Sequence, residues 1–336
     1  MKNMWQIVAA FVISFCIGMI LGPLLIPALH RLKFGQSIRN DGPQTHLKKQ
    51  GTPTMGGVIF FFTMTLGGIF LAKGSMTFWF LLASALGFGF IGFVDDYIKI
   101  VKHRSLGLTP WQKIAMQLVI SAGLAYAAVK VLHISTQLII PATSIVFELG
   151  WFYIPFVMFL LIGTTNAVNL TDGLDGLASG VTLIVATGFG LIGYISNFYS
   201  ATLFAAVVVG SCLSFLFFNL HPAKIFMGDT GSFVLGGAVA ALAIVTKTEL
   251  FLPILGAVYV AEVLSDIIQV SVYKKTKKRV FRMAPLHHHF ELGGWKEQKV
   301  VYTFWTAAVI AVVVGLILYM LTDVGAMLML RGVWNG

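Results

Sequence analysis

Long stretches without Asp, Glu, Lys or Arg recur along this sequence and restrict what the chain can fold into. The longest extends from Gly176 to Ala223. A hydrocarbon core about 30 Å thick is crossed by roughly 20 apolar residues in a helix, so this stretch suffices for two crossings. Only 11% of the 336 residues are charged, whereas soluble domains have roughly a quarter. The sequence therefore predicts an all-α integral membrane protein.

The apolar stretches divide into about ten candidate transmembrane helices, which form one polytopic membrane domain over residues 1–336. Their approximate bounds are 5–29, 54–72, 76–96, 114–130, 150–170, 176–196, 200–220, 230–247, 250–273 and 300–322. The segment 196–200, rich in Ser and Asn, is the expected turn between the sixth and seventh spans. The first span is uncharged and too long for the apolar part of a secretory signal, so we expect it to be retained.

The distribution of positive charge predicts how the spans are oriented. When the loops after spans 1, 3, 5, 7 and 9 are placed on one side, that side holds 18 of the 23 Lys and Arg residues. The other side holds Lys2, Lys73, Lys130, Lys247 and Arg331. By the positive-inside rule the first side is cytoplasmic and both termini are extracytoplasmic. The net charge of +10 is then explained by membrane topology and by contact of the basic loops with anionic lipid, rather than by binding of nucleic acid.

The same division places the polar motifs on the cytoplasmic face, although they were not used to build it. These motifs are Asp95-Asp96, 169–175, 219–229 and His287-His288-His289. A transport pathway is expected to show polar groups at both mouths and at the midplane. Chemistry confined to one face favours an enzyme with its active site at the cytoplasmic surface.

Three acidic motifs are candidates for a functional role, and each also has a simpler structural explanation. Asp95 and Asp96 lie at a helix carboxyl end, where negative charge is disfavoured, although the pair could be a solvated helix end. Asp172 and Asp175 would lie together if their segment is helical, or could belong to a turn. Asp229 could bind Mg²⁺, which one or two carboxylates usually hold, or could cap the eighth span.

Soft-metal chemistry is disfavoured by the other candidate ligands. Cys16 and Cys212 lie within apolar stretches without metal or disulfide spacing. Three consecutive histidines cannot all face one metal on a regular element, so we expect at least one of His287, His288 and His289 to donate to phosphate oxygens. Carboxylates suit Mg²⁺ better than imidazole does.

The basic loop 274–299 could serve as stop-transfer charge against anionic lipid. Together with the acids, however, an array of cations at one membrane face suits phosphoryl transfer. No strand, glycine-rich loop and helix of the P-loop type is visible, which disfavours ATP hydrolysis. Glu262 and Asp266 lie four residues apart within span 9 and are assigned no chemistry, because they could simply line a cavity.

Five segments carry a resemblance to a known enzyme family. They are Thr52-Pro53-Thr54-Met55-Gly56-Gly57, Val94-Asp95-Asp96, 169–177, 226–232 and 284–291. These segments resemble the phospho-N-acetylmuramoyl-pentapeptide transferase family, and the resemblance extends from the first span to the tenth. The segment 284–291, with three histidines followed by Phe290-Glu291, is the most specific, because it separates this family from its relatives.

The resemblance implies a reaction in a bacterial cytoplasmic (inner) membrane, with Mg²⁺ as cofactor. Phospho-MurNAc-pentapeptide passes from UDP-MurNAc-pentapeptide to undecaprenyl phosphate, giving lipid I and UMP for peptidoglycan synthesis. The family also implies ten transmembrane helices with external termini, which agrees with the charge distribution. A homodimer is an expectation from the family alone.

The resemblance also implies roles for individual residues. Asp229 would hold Mg²⁺, and Asp95 and Asp96 would act at the lipid phosphate, with Asp95 the preferred base or nucleophile. Asn219 and His287 to His289 would line the active site, and Lys113 resembles a lysine of the catalytic region. Residues implied on the nucleotide side are Lys48, Asn169, Asp172, Asp175 and Phe226, the last under the uracil, although Phe226 could equally anchor the membrane interface.

Two mechanisms and two other functions remain open at this stage. Either the lipid phosphate attacks the β-phosphate directly, or an Asp attacks first and forms a covalent intermediate. A sister enzyme that transfers GlcNAc-1-phosphate would share the Asp motifs but not the histidine loop. A lipid or nucleotide-sugar transporter would move its substrate unchanged and is disfavoured by the one-sided acids.

Overall fold

A computed structural model describes residues 4–31, 49, 51–69, 72, 74–101 and 107–322. Within these residues the chain is mostly helical. The helices are α1 (Met4–Arg31), α2 (Val58–Ile69), α3 (Met76–Val101), α4 (Pro110–Lys130), α5 (Tyr153–Thr171), α6 (Leu177–Ile195), α7 (Tyr199–Asn219), α8 (Gly228–Val245), α9 (Leu252–Leu255), α10 (Ala257–Thr276), α11 (Leu286–Glu291) and α12 (Glu297–Leu321). Eight helices among the described residues are long and apolar enough to cross a membrane, which supports an integral membrane protein.

The helix α8 lies at the centre of the bundle. Every residue from Thr230 to Val245 is buried, and α8 packs against α3 and α5. By contrast, α1, α4 and α12 bury only 22–28% of their most apolar windows, as expected for helices that face lipid. The central position of α8 fixes its first turn, and with it Asp229, between neighbouring helices.

Two predicted spans are shorter or interrupted in the structure. The second span starts at Val58 rather than residue 54, because the preceding segment forms backbone hydrogen bonds instead. Gly56 and Gly57 donate to the carbonyls of Phe226 and Met227 over 2.8 and 2.9 Å. The ninth span is divided at Gly256 into α9 and α10. The predicted turn between the sixth and seventh spans is confirmed, since α6 ends at Ile195 and α7 begins at Tyr199.

A small β-hairpin between α4 and α5 was not predicted. Strand β1 (Gln137–Ile139) pairs antiparallel with β2 (Val146–Glu148), with Leu138 opposite Phe147. Val, Ile and Phe favour strands, and Pro141 and Ala142 lie in the connecting turn. The hairpin adds two short strands to a fold that is otherwise helical.

Candidate active site

Three carboxylates from two helices meet at one end of the bundle. Asp95 and Asp96 lie near the end of α3, and Asp229 lies in the first turn of α8. Their ligand oxygens are all within 4.8 Å of one another. We call Asp95, Asp96 and Asp229 the acidic triad. Such a concentration of negative charge is stable only with cations close by.

Two lysines supply positive charge to the acidic triad. Lys99 Nζ lies 2.6 Å from Asp95 Oδ2 and 3.1 Å from Asp229 Oδ2. Lys113 Nζ, from α4, lies 2.5 Å from Asp229 Oδ2 and 3.4 Å from Asp95 Oδ1. Lys113 was predicted as a site residue from its resemblance to a lysine of the catalytic region, whereas Lys99 was not predicted. The signal for Lys99 was available, because it follows Asp95 by four residues on the same helix face.

The neighbouring Asp95 and Asp96 have different partners. Asp96 accepts hydrogen bonds from the backbone amides of Asp229 and Thr230, over 3.2 and 2.8 Å, and so caps the start of α8. Asp95 Oδ1 accepts from the Leu108 amide over 3.0 Å. Asp95 is fully buried, yet its Oδ2 has no hydrogen bond of suitable geometry, although Lys99 is within ion-pair distance.

These features fit a hard divalent cation. Carboxylate oxygens are the protein ligands that Mg²⁺ prefers, and Asp95 Oδ2 is a buried acceptor with unused capacity. Asn169, at the end of α5, donates to Asp229 Oδ1 over 3.0 Å and to Ser232 Oγ over 2.9 Å. Asn169 therefore orients one oxygen of Asp229 and leaves the other facing the two lysines.

Asp172 and Asp175 lie in a turn between α5 and α6, not on a helix as their spacing allowed. Burial, reinforced by the negative charges of Asp229 and Asp96, raises the pKa of the Asp172 carboxyl well above its ordinary value. Asp175 is buried and has several partners: Lys49 Nζ at 2.7 Å, His221 Nδ1 at 3.0 Å and the Ala223 amide at 3.1 Å. The two acids thus lie in one turn with different environments.

Asn219 and Phe226 lie in the loop from α7 to α8. Asn219 is buried and accepts from the Gly176 amide over 3.0 Å, while its own amide donates to the Ile225 carbonyl over 2.9 Å. It therefore shapes the loops around the site. Phe226 is partly exposed, and its backbone bonds to Pro53. Lys48 lies outside the described residues, although the adjacent Lys49 contacts Asp175.

The three consecutive histidines of α11 have three different partners. His287 is buried, with Nδ1 3.1 Å from Glu262 Oε1, and it packs against Gly173 of the Asp172 turn. His288 Nδ1 lies 2.9 Å from Glu291 Oε2, and His289 Nδ1 accepts from the Arg282 amide over 3.1 Å. Among the described residues, none of the three belongs to a group that could hold a metal.

The contacts between the motifs make them one site. The charges of Asp96, Asp229 and Asp175 all act on Asp172, and His287 reaches the same turn. Carboxylates that can hold a divalent cation therefore lie beside lysines and histidines that can neutralise or donate to phosphate oxygens. This combination is suited to phosphoryl transfer, in which positioning and charge neutralisation supply most of the catalysis.

Several residues that contact these acids were not predicted from the sequence. They are Lys49, Lys99, His221 and Glu297. Glu262 had been assigned no chemistry, and its contact with His287 was also not predicted. Glu297 lies 122 residues from Asp175 in a segment without a recognisable motif. Only the folded packing of the helices brings these two residues together.

The apolar helical bundle with its acidic triad is accompanied by a match to a class of glycosyl transferases. Residues 78–247 match the model of glycosyl transferase family 4. Residues 49–61 match signature 1 of the phospho-N-acetylmuramoyl-pentapeptide-transferases.

Curated relatives identify the particular family. A phospho-N-acetylmuramoyl-pentapeptide-transferase of Heliobacterium modesticaldum is 52% identical over 317 residues, which cover 94% of this chain and 99% of the relative. A protein with the same name from Desulfitobacterium hafniense is 50% identical and aligns with 94% of this chain and 99% of its own length. Another from Halalkalibacterium halodurans is 51% identical and aligns with 89% of this chain and 93% of its own length. The chain belongs to the phospho-N-acetylmuramoyl-pentapeptide transferase family.

Proposed function

We propose that this protein transfers phospho-MurNAc-pentapeptide from UDP-MurNAc-pentapeptide to undecaprenyl phosphate, giving lipid I and UMP. The observation that carries the proposal is the acidic triad, bracketed by Lys99 and Lys113 in a chain about half identical to relatives with this activity in their name. The sister GlcNAc-1-phosphate transferase is not favoured, because these full-length relatives carry the muramoyl name.

The protein works in the bacterial cytoplasmic membrane, with ten spans, external termini and the active site facing the cytoplasm. Besides the eight long apolar helices, α2 and α10 complete the ten crossings. The excess of Lys and Arg in the loops around the acidic triad supports this orientation. A soluble nucleotide sugar and a lipid phosphate could then meet at the same surface.

Asp229 is proposed to hold Mg²⁺, with Asp95 and Asp96 close enough to share it. A Mg²⁺ ion held by these residues would supply positive charge to offset the negative charge of the diphosphate. The chain's own cations assist at defined atoms. Lys99 and Lys113 contact the carboxylate oxygens of the acidic triad and can transfer their hydrogen bonds to incoming phosphate oxygens.

Direct attack by the lipid phosphate is the proposed reaction. An oxygen of undecaprenyl phosphate bonds to the β-phosphorus, and the bond from that phosphorus to the bridging oxygen breaks, so UMP leaves with that oxygen. Phosphate monoesters have a second pKa of about 6, so the attacking group is largely ionised. Asp95, buried beside Lys99 and Lys113, accepts any remaining proton and orients the cations.

The nucleotide is proposed to bind on the side of the Asp172 turn. Asp172 and Asp175 lie in that turn, and Phe226 presents a partly exposed ring from the α7–α8 loop for stacking on the uracil. Lys48 and Asn169 are assigned to the same side. Asn219 shapes the pocket, and His287, His288 and His289 line it.

UMP release by the purified protein tests the function. The assay contains detergent, undecaprenyl phosphate, Mg²⁺ and either UDP-MurNAc-pentapeptide or UDP-GlcNAc. We expect UMP and a lipid-linked product from the muramoyl substrate alone. Asp229→Asn should reduce the rate by about 10²–10³-fold, as removal of a key charge in a preorganised site does. Glu148→Gln, in the exposed hairpin, is the matched control.

The alternative outcomes separate the competing functions. UMP from UDP-GlcNAc alone would assign the chain to the sister activity. No UMP from either donor, with movement of labelled nucleotide sugar or lipid into or across proteoliposomes, would support a transporter instead.

A further inference from the structure

The last long helix, α12, holds the turn that contains Asp175, although most of α12 faces lipid. Glu297 Oε1 accepts from the Asp175 amide over 2.8 Å. Eight residues further on, the indole of Trp305 donates to the Gly176 carbonyl over 3.3 Å. Gly176 has a φ of 78°, which disfavours other residues. One helix therefore contacts both consecutive residues of this turn.

The carboxylate of Glu297 also connects the turn to two other segments. Its Oε1 lies 2.5 Å from Lys49 Nζ, and its Oε2 lies 3.3 Å from His221 Nδ1. Both of these cationic or titratable groups contact Asp175 as well. Glu297 lies in the first turn of α12, where the helix dipole favours negative charge. Its side chain is only 11% exposed, so these contacts are shielded from solvent.

Asp175, His221 and Glu297 are close enough together to be considered as metal ligands. Lys49 already lies 2.7 and 2.5 Å from the two carboxylates, so an ammonium group balances their charge. The arrangement is therefore an ion-pair cluster that joins four segments of the chain. Asp175 uses one carboxylate oxygen for Lys49 and the other for His221 and the Ala223 amide. Its backbone amide donates to Glu297, so Glu297 contacts the turn at the main chain.

We infer that Glu297 is a positioning residue for the nucleotide-binding side of the active site. It holds the Asp175 amide and the Lys49 ammonium, and so sets the turn against which the uridine diphosphate moiety binds. This inference rests on the proposed function, because that function places the nucleotide at this turn. Glu297 acts through Asp175 and does not touch the reacting phosphates.

Kinetics with each substrate varied separately test this role. Glu297→Ala should raise the KM for UDP-MurNAc-pentapeptide by about tenfold, the effect of one lost buried hydrogen bond to a charged group. The KM for undecaprenyl phosphate should stay within about twofold of wild type. Glu297→Gln keeps an oxygen for the Asp175 amide but loses the charge that faces Lys49, so its KM should rise by about threefold.

The controls distinguish positioning from folding and from failure of the proposed function. Gln298→Ala changes an exposed residue of the same helical turn and should leave both KM values unchanged. If Glu297→Ala does not fold, as judged by size exclusion and Tm, Glu297→Gln decides. Unchanged nucleotide-sugar KM, or equal increases for both substrates, would overturn the inference. An inactive wild-type protein would instead refute the proposed function.

Discussion

Among single residues, Lys113 connects α4 to the acidic triad by ion pairs. Its ammonium lies 2.5 Å from Asp229 and 3.4 Å from Asp95. We predict that Lys113→Met lowers the rate of UMP release by about 10²-fold, the usual effect of removing one preorganised charge. The same variant should reach half-maximal activity at lower Mg²⁺, because the acidic triad becomes more negative.

A Mg²⁺ titration of UMP release measures both effects. Lys130→Met removes a lysine from the exposed opposite end of the same helix and should match wild type. A lower rate for Lys113→Met with a higher Mg²⁺ requirement would indicate that Lys113 does not compete with the cation.

Asp172 gives a prediction about pH. Burial raises the pKa of its carboxyl in the folded protein, so at pH values between the unfolded and the folded pKa the native state binds more protons than the unfolded state does. Stability from this group is therefore complete below the unfolded pKa and falls as pH rises towards the folded pKa. Asp172→Asn, which imitates the neutral form, should be more stable than wild type at neutral pH.

Thermal unfolding of the detergent-solubilised variants between pH 5 and about 9 measures this difference. The Tm advantage of Asp172→Asn over wild type should shrink at the acidic end. An advantage that is constant across the range would show that Asp172 does not titrate on unfolding.

At the scale of whole helices, α3 and α8 approach each other closely at Gly92. A methyl group at this position would overlap the Asp229 carbonyl and the Thr230 amide nitrogen, which are backbone atoms of α8. We predict that Gly92→Ala costs about 1–3 kcal/mol through overpacking and displaces Asp229, which lowers UMP release. Tm and initial rates measure the two effects.

Gly123→Ala is the matched control, because Gly123 lies within α4 with open space around it. Alanine there should preserve activity and leave stability unchanged or higher by up to about 1 kcal/mol, through its better helix propensity. Equal losses in the two variants would argue against a specific contact between α3 and α8.

The sequence predicted the helices better than their ends. Charge-free stretches and the turn at 196–200 are local properties, so α6 and α7 follow from the sequence. The start of α2 does not, because it depends on Gly56 and Gly57 bonding to Phe226 and Met227, far along the chain.

The site was predictable to a similar degree. Asp95, Asp96 and Asp229 could be chosen as candidates because acidic motifs at one membrane face suit a bound cation, and the structure brings the three carboxylates together. Glu297 was not found, since an isolated acid at a helix start has an ordinary explanation and its partners come from distant segments. The hydrogen-bond partners of Asn219 could not be predicted either, because nothing in the sequence around an uncharged Asn indicates that it is buried.

In the molecule as a whole, charged residues have different partners at the two ends of the bundle. At the end opposite the acidic triad, Lys247 is buried and donates to Glu249 over 2.8 Å and to the Ser135 carbonyl over 2.9 Å. The positive charge of Lys247 is thus balanced within the protein, so Lys247 does not contribute to a positively charged loop. This strengthens the asymmetry on which the predicted orientation rests.

Cysteine accessibility in spheroplasts tests that orientation. The background would carry Cys16→Ala and Cys212→Ala, to which either Lys130→Cys or Lys274→Cys is added, both at exposed positions. A membrane-impermeant maleimide should label Lys130→Cys in intact spheroplasts but Lys274→Cys only after permeabilisation, because the proposed orientation places the basic end of α10 in the cytoplasm. The opposite labelling would contradict the proposed orientation. It would place the acidic triad outside the cell, where UDP-linked precursors made in the cytoplasm could not reach it.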